Sequence, residues 1–265
     1  MEEKMSQLKE SLQEFYRYRF LLSELVKKGI VLKYRRSYLG ILWTMLEPLL
    51  NMVVLTFVFG TLLGNSDKSF PIYILSGRLL YTCFAQSSKA ALRSIRANSG
   101  LINKVYVPKY LYPLSSVLYS YVIFGLSLVV LAIVALALGV YPTKYILLIW
   151  IPLLLLVLFS LGVGMLLSTM GVYFRDMEYL WEVGLTLVMY MCAIFYYPDR
   201  FIEAGFGWVL NLNPLYCIIA SFRNCIFGNP LDMGQVLYAF LFSVIALIIG
   251  IYIFRKKEDE FILHI

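Results

Sequence analysis

A basic cluster, Lys33, Arg35 and Arg36, runs almost directly into an apolar stretch that passes Glu47 and Pro48 and continues to Gly64. Lys and Arg are retained on the cytoplasmic side of a bilayer, so this junction orients a first membrane span before any other residue is read. Nine of the 23 Lys and Arg residues precede Tyr38. The N-terminus is therefore expected in the cytosol. Residues 1–36 hold no uninterrupted apolar region of signal-peptide length, so the first span is expected to direct insertion itself.

Only 15% of the 265 residues are charged and 61% are hydrophobic, whereas soluble domains carry about 25% charged residues. A soluble core could not hide this much apolar surface, so the excess is expected to face lipid. The net charge of +7 does not point to nucleic acid. Its basic residues sit at the ends of apolar runs, where topology signals and headgroup contacts belong. Cys83, Cys192, Cys217 and Cys225 have no metal-ligand spacing, and the single histidine is His264, so a His/Cys metal site is not expected. Cys217 and Cys225 are expected as packed thiols, although they could pair in an oxidising compartment.

Residues 5–34 read as an amphipathic helix. Leu8, Leu12, Phe15, Leu22 and Val26 recur at helical spacing, with Lys9, Gln13, Arg17, Lys27 and Lys28 on other faces. Such a helix lies in the membrane interface, or docks on a cytosolic partner. Six later segments qualify for the roughly 20 apolar residues a span needs: about 39–63, 71–92, 114–140, 146–173, 179–197 and 233–254. Arg78, Gln86 and Lys89 interrupt the second, and the fifth is short. With both termini inside, cytosolic segments hold 18 Lys and Arg and external segments 4, as the positive-inside rule requires.

Two connections are long. The cytosolic one, after the second span, is helical in spacing to Ile102 and is stopped by Pro108 and Pro113. The external one, Pro198–Asp232, is too apolar for a water-exposed loop. It reads as two short re-entrant helices, about 199–210 and 214–227, broken at Asn213–Pro214. Irregular backbone at that depth must be buried in protein or line a cavity; a surface hairpin is the alternative.

No G-x-x-x-x-G-K-[ST] phosphate loop, G-x-S-x-G or H-E-x-x-H occurs. Glu47 and Arg78 are the costliest residues to place within spans, since a charge at mid-bilayer costs about 2.5–3.5 kcal/mol on insertion scales. Both are expected to face protein or a watery pathway, as a pore-lining pair or an interhelical tie. Gly162, Gly164, Ser168 and Gly171 on the fourth span suit close helix packing, more simply than a gating hinge. Phe195, Tyr196, Tyr197, Phe201, Phe206, Trp208 and Tyr216 cluster around the external helices. Aromatic faces with polar edges suit sugar rings, and an interfacial aromatic belt explains part of the same cluster.

These segments, in this order, resemble the ABC-2-type permeases that export lipid-linked polysaccharides, the O-antigen, capsule and teichoic acid exporters. The carriers of the resemblance are YRRSYLGILWTMLEP, LINKVYVPKYLYPL, GVYFRDMEYLWEV, LNPLY with FRNCIFG, and FRKKEDEFILHI, which together cover essentially the whole chain. The resemblance implies an all-α integral membrane protein and a single transmembrane domain over 1–265: an N-terminal interface helix (1–38), six spans (39–254) and a cytosolic tail (255–265). It also implies a homodimer that works with two copies of a separate ATPase, which would hold ATP and Mg; no cofactor is expected in this chain. The expected setting is a prokaryotic plasma membrane, with lipid-linked glycan as cargo and no nucleic-acid partner.

By the same resemblance, Arg93, Ser94, Arg96, Asn98, Leu101, Asn103, Lys104, Pro108 and Lys109 occupy a helix seated on the ATPase. Arg175 and Asp176 lie in a short cytosolic turn, where they pair or cap the fifth helix. Arg35, Arg36 and the coupling region are expected to supply positive charge where the lipid pyrophosphate enters, with Arg175 and Asp176 at the same cytosolic entry. The external helices, with Tyr196, Tyr197, Phe201, Phe206, Trp208 and Tyr216, match an outer gate and glycan path. One departure stands out: relatives carry apolar residues and a Pro-Trp pair where this chain has Arg78 and Leu80-Tyr81. Rival readings are a teichoic acid exporter, a drug or lipid exporter, an intramembrane glycan-lipid enzyme and a passive channel.

Overall fold

The computed structural model describes residues 2–35, 37–63, 67–104, 107–203 and 205–264, with side chains throughout except at 2–15, 62–63 and 200. Every regular element among them is helical. The order is α1 (Glu2–Tyr34), α2 (Trp43–Leu63), α3 (Phe70–Ala97), α4 (Ser99–Ile102), α5 (Leu111–Ala137), α6 (Trp150–Tyr173), α7 (Met177–Tyr190), α8 (Asp199–Glu203), α9 (Gly207–Asn211), α10 (Pro214–Phe227), α11 (Met233–Lys257) and α12 (Phe261–His264).

Four stretches are long and apolar enough to cross a bilayer: Gly40–Thr61, Leu111–Ala137, Lys144–Tyr173 and Met233–His264. They match the expected first, third, fourth and sixth spans. The expected second span is α3, which has 28 residues but carries Arg78, Lys89, Arg93 and Arg96. It sits at the centre of the bundle, packed by α5, α6, α2 and α10, and 18 of its residues are buried. The expected fifth span, 179–197, is helical only to Tyr190. At 14 residues, α7 is about 21 Å long, short of the roughly 30 Å hydrocarbon core. The chain continues as irregular backbone in which Cys192–Phe195 are buried. That burial is what permits non-helical backbone at membrane depth.

Close helix packing explains the glycines of α6. A Cβ on Gly162 would fall 2.5 Å from the Leu247 nitrogen, and one on Gly250 would fall 2.3 Å from the Gly162 oxygen. The α6 and α11 backbones therefore touch at this crossing, as small residues allow in lipid. Gly171 admits the Leu92 carbonyl of α3 in the same way, with 2.5 Å to the absent Cβ.

Among the described residues, the segment between α7 and α11 holds three helices rather than two, because the first expected one is divided into α8 and α9. The second is built as its sequence predicts. Asn213 caps α10 by accepting the Leu215 N–H at 3.1 Å, Pro214 opens the helix, and Gly228 ends it at φ 76°, a conformation glycine adopts without steric cost. Eleven of its 14 residues are buried, so α10 is a core helix.

Arg223 of α10 is 5% exposed. Its guanidinium donates to Ala193 O at 3.0 Å and Tyr73 O at 2.9 Å, and lies 3.4 Å from the centre of the Tyr73 ring. The Tyr73 hydroxyl reaches Ala193 O at 2.9 Å and Tyr196 O at 3.0 Å. Ala193 has φ 45°, so an alanine is held in left-handed backbone by these bonds. Gly77 makes the room: a Cβ there would sit 2.3 Å from Arg223 Nη2. No carboxylate lies within ion-pair distance of Arg223 among the described residues. Carbonyls and a π face supply its compensation instead.

Two outcomes follow for stability in detergent. Gly250→Ala or Gly162→Ala should lower stability by about 1–3 kcal/mol through overpacking, seen as an earlier thermal unfolding transition; an unchanged midpoint would contradict the backbone contact. Arg223→Ala should cost on the order of 3 kcal/mol. Arg223→Lys, which lacks the planar fork, should rescue only part, and Gly77→Ala should reproduce the loss.

Candidate functional site

A polar cavity of about 310 Å³ lies between α1, α2, α3, α5 and α7. Glu47 and Arg78 both line it, so the two costliest span residues border one space. They form no ion pair with each other; the interhelical-tie reading of this pair is not what the geometry displays. Lys33, at the end of α1, reaches into the same cavity and donates to Gln86 Oε1 at 2.9 Å. Burial holds the Lys33 ammonium below the ordinary lysine range, with the Glu47 carboxylate partly offsetting this.

The cavity wall formed by α7 is held by polar contacts to α3. Lys89 pairs with Glu182 at 2.6 Å, and Arg93 with Glu178 at 2.8 Å; Arg96 pairs with the other Glu178 oxygen. Trp181 Nε1 donates to Ser88 Oγ at 3.0 Å, and the Tyr81 hydroxyl donates to Leu185 O at 2.8 Å. Leu185 is the one buried residue of α7, while Tyr179, Leu180, Val183, Leu187 and Tyr190 are exposed on its far side. Spacing explains the ladder. Lys89, Arg93 and Arg96 recur at i, i+4 and i+7, and Glu178 and Glu182 at i and i+4, so each set lies on one helix face.

The residues expected to face an ATPase divide into separate places. Arg93, Ser94 and Arg96 belong to the last turns of α3, which runs to Ala97. Ser94 is buried and donates to Ala91 O at 2.6 Å, and Asn98 donates back to Ser94 O at 2.8 Å. Leu101 on α4 is half-buried, and Asn103 and Lys104 are exposed. Pro108 is half-buried. Lys109 is engaged from within, since its ammonium donates to the Glu258 carbonyl and lies 6.0 Å from the Phe261 ring. Phe261 in turn is fully buried in a small second core with Ile95, Ile102, Tyr112, Val172 and Phe254. The tail thus packs against the segment after α3.

At the expected entrance, Arg35 is exposed in a shallow groove with Leu32, Lys33 and Ser37. Arg36 lies outside the described residues. Arg175 and Asp176 are both exposed and form no ion pair among the described residues. Asp176 stands at the N-cap of α7 without a side-chain hydrogen bond to it. The expectation that these two pair or cap is corrected; Glu178, two residues on, carries the local charge pairing.

The external aromatics do not form one wall. Tyr196 stacks on Phe201 at 5.0 Å and donates to Tyr190 O at 2.6 Å. Tyr197 packs on Tyr73 at 4.6 Å and Phe70 at 5.6 Å, and its hydroxyl donates to Asp67 at 3.1 Å. Phe206 and Trp208 are exposed, whereas Tyr216 is 6% exposed and belongs to the main core. Hydrogen bonds from the Ser69 hydroxyl and backbone N–H, joined by the one from Tyr197, hold the Asp67 carboxyl below the usual carboxylate range. Its contribution is present above the ordinary carboxylate pKa and is lost as pH falls through the lower folded value. The sequence reading missed the Tyr73–Gly77–Arg223 arrangement. An arginine inside the apolar run LYCIIASFRNCIF was its signal.

Residues 21–227 match the ABC-2 type transporter family. The chain is 30% identical over 253 residues to the O-antigen export system permease protein RfbA of Myxococcus xanthus, covering 94% of this chain and 97% of that one. It is 28% identical over 244 residues to the protein of the same name from Klebsiella pneumoniae, covering 91% and 93%. It is 26% identical over 234 residues to the polysialic acid transport protein KpsM of Escherichia coli, covering 86% and 89%. A family match spanning most of the sequence, joined by relatives aligned nearly end to end, settles the assignment: this chain belongs to the ABC-2 type transporter family.

Proposed function

We propose that this protein is the membrane permease of an ATP-driven exporter that carries lipid-linked polysaccharide across a prokaryotic inner membrane. The observation that carries the reading is a cavity lined by charged side chains inside a bundle of apolar helices, in a chain whose relatives bear the names of O-antigen and polysialic acid exporters. Both termini lie in the cytosol in this reading, as the distribution of Lys and Arg supports. Two copies pair, with the exposed apolar faces of α2 and α7 available for contact. The sequence carries no phosphate loop, so two copies of a separate ATPase supply ATP hydrolysis.

The exposed residues Asn103 and Lys104 meet that ATPase. Its closure displaces the end of α3, and the ladder from Arg93 and Arg96 to Glu178 passes the displacement to α7. Because α7 forms a wall of the cavity, a shift of α7 changes the cavity's width. The aromatic stack of Tyr196 and Phe201 and the exposed Phe206 and Trp208 line the external exit, where sugar rings find apolar faces.

Affinity purification from native membranes in mild detergent should recover a phosphate-loop ATPase in stoichiometric amount, with ATP hydrolysis by the complex and none by this chain alone. Recovery without such a partner across several gentle detergents would remove the energy source and the reading with it. Glu178→Ala should lower export about 3- to 30-fold, the range of a lost coupling contact, while ATP hydrolysis by the complex continues. Equal loss of both activities would place Glu178 in assembly, not transmission.

A further inference from the structure

Along α3, Arg78, Thr82, Gln86 and Lys89 recur at i, i+4, i+8 and i+11, and all four line the cavity. They form a polar stripe about 16 Å long, roughly half the hydrocarbon thickness. Lys33 joins the stripe at the α1 end through Gln86, and Arg78 stands at the other. The charges along it are unequal. Lys33, Arg78 and Lys89 face Glu47 and Glu182; Lys89 is matched with Glu182, which leaves two cations and one carboxylate.

Arg78 carries the deficit. Its hydrogen-bond partner among the described residues is Met189 Sδ at 3.0 Å, and the Tyr81 ring centre lies 5.9 Å from its Cζ. A thioether is a weak acceptor, and a guanidinium within a span is expensive. As an interhelical tie this contact is poor. The contrast with Arg223 is direct: that guanidinium has two carbonyls and a ring at 3.4 Å, and a glycine clears its place. Arg78 instead borders a space of about 310 Å³, enough for roughly ten waters at liquid density.

We propose that Arg78 is the anion-binding residue of this cavity, and that the cargo presents an oxyanion, a phosphate or carboxylate group, to its guanidinium fork. An oxyanion there neutralises the surplus charge and accepts two parallel N–H bonds. Lys33 and Lys89 attract the group at the start of the stripe, and Glu47 sets how tightly it is held. The inference rests on the exporter reading and adds to it the residue that holds the cargo's anionic group. The oxyanion comes either from a lipid carrier's diphosphate or from an acidic sugar of the glycan.

The test uses the full-length chain in nanodiscs of zwitterionic phosphatidylcholine, with binding followed by native mass spectrometry. The probes are farnesyl diphosphate, farnesol and trigalacturonate. Arg78→Gln should weaken binding of one anionic probe by about ten- to a hundredfold, the scale of a lost charge-assisted hydrogen bond. Arg78→Lys should weaken it less, and farnesol should bind both variants as it binds the wild type. Loss confined to farnesyl diphosphate identifies the carrier end as the source; loss confined to trigalacturonate identifies the sugar. Unchanged anionic binding in Arg78→Gln, or equal loss of farnesol, overturns the proposal. Glu47→Gln provides a check that needs no change at Arg78: it should tighten the same anionic probe, and failure to do so also overturns it. Export with the partner ATPase, alongside Arg78-independent anion binding, would sink this inference alone. Arg78-dependent binding without any ATPase partner would sink the exporter reading alone.

Discussion

Arg78, Gln86, Lys89, Arg93 and Arg96 lie along one helix, α3, that lipid cannot solvate over most of its length. The arrangement of the bundle follows from that constraint. Apolar helices α5 and α6 pack along α3, α10 covers its outer part, and α7 answers its charges with Glu178 and Glu182. Helices that meet lipid, such as α2, bury almost nothing within the subunit and carry few charges. Polarity is thus sorted radially: charge on the central helix, hydrocarbon on the outer ones, and a polar cavity where the enclosure is left open.

Two kinds of attachment hold the helices around α3. The contacts of α6 with α11 and α3 are close backbone approaches at glycines, which depend on shape and resist sliding. The contact of α7 is a short series of ion pairs and hydrogen bonds with one buried apolar side chain. Exposed ion pairs contribute little each, about 0–1 kcal/mol. The body is therefore firm at α3, α6 and α11, and more easily rearranged at α7, which borders the cavity.

Much of this was legible from periodicity and charge. Four apolar helices of spanning length, the long N-terminal helix, the break at Asn213–Pro214 and the close packing at Gly162 and Gly171 follow from residue type and spacing. The remainder depends on which distant segments meet, and spacing along one segment does not report that. Arg223 reads as one of four external cations until α3 supplies the Gly77 slot. The aromatics from Tyr196 to Tyr216 look like one cluster because they are near in sequence, yet the burial of α10 sends Tyr216 into the core while Trp208 stays outside. Lys109 looks available to a partner until the tail folds back over it. Hydropathy alone would drop α3, since its polar face becomes affordable only once other helices enclose it.

The Arg223 bond to Tyr73 O joins residues 150 positions apart. Helices enter a membrane in chain order, so α3 is in place, with its Gly77 notch empty, well before α10 is made. Non-local contacts of this kind form late, because the intervening chain must be ordered first. The junction of Tyr73, Ala193 and Arg223 then closes only after the segments between α3 and α10 are ordered. Until it does, the left-handed backbone at Ala193 has no guanidinium to hold it. A subunit caught at that stage would hold its central helix in place with the notch at Gly77 still unfilled.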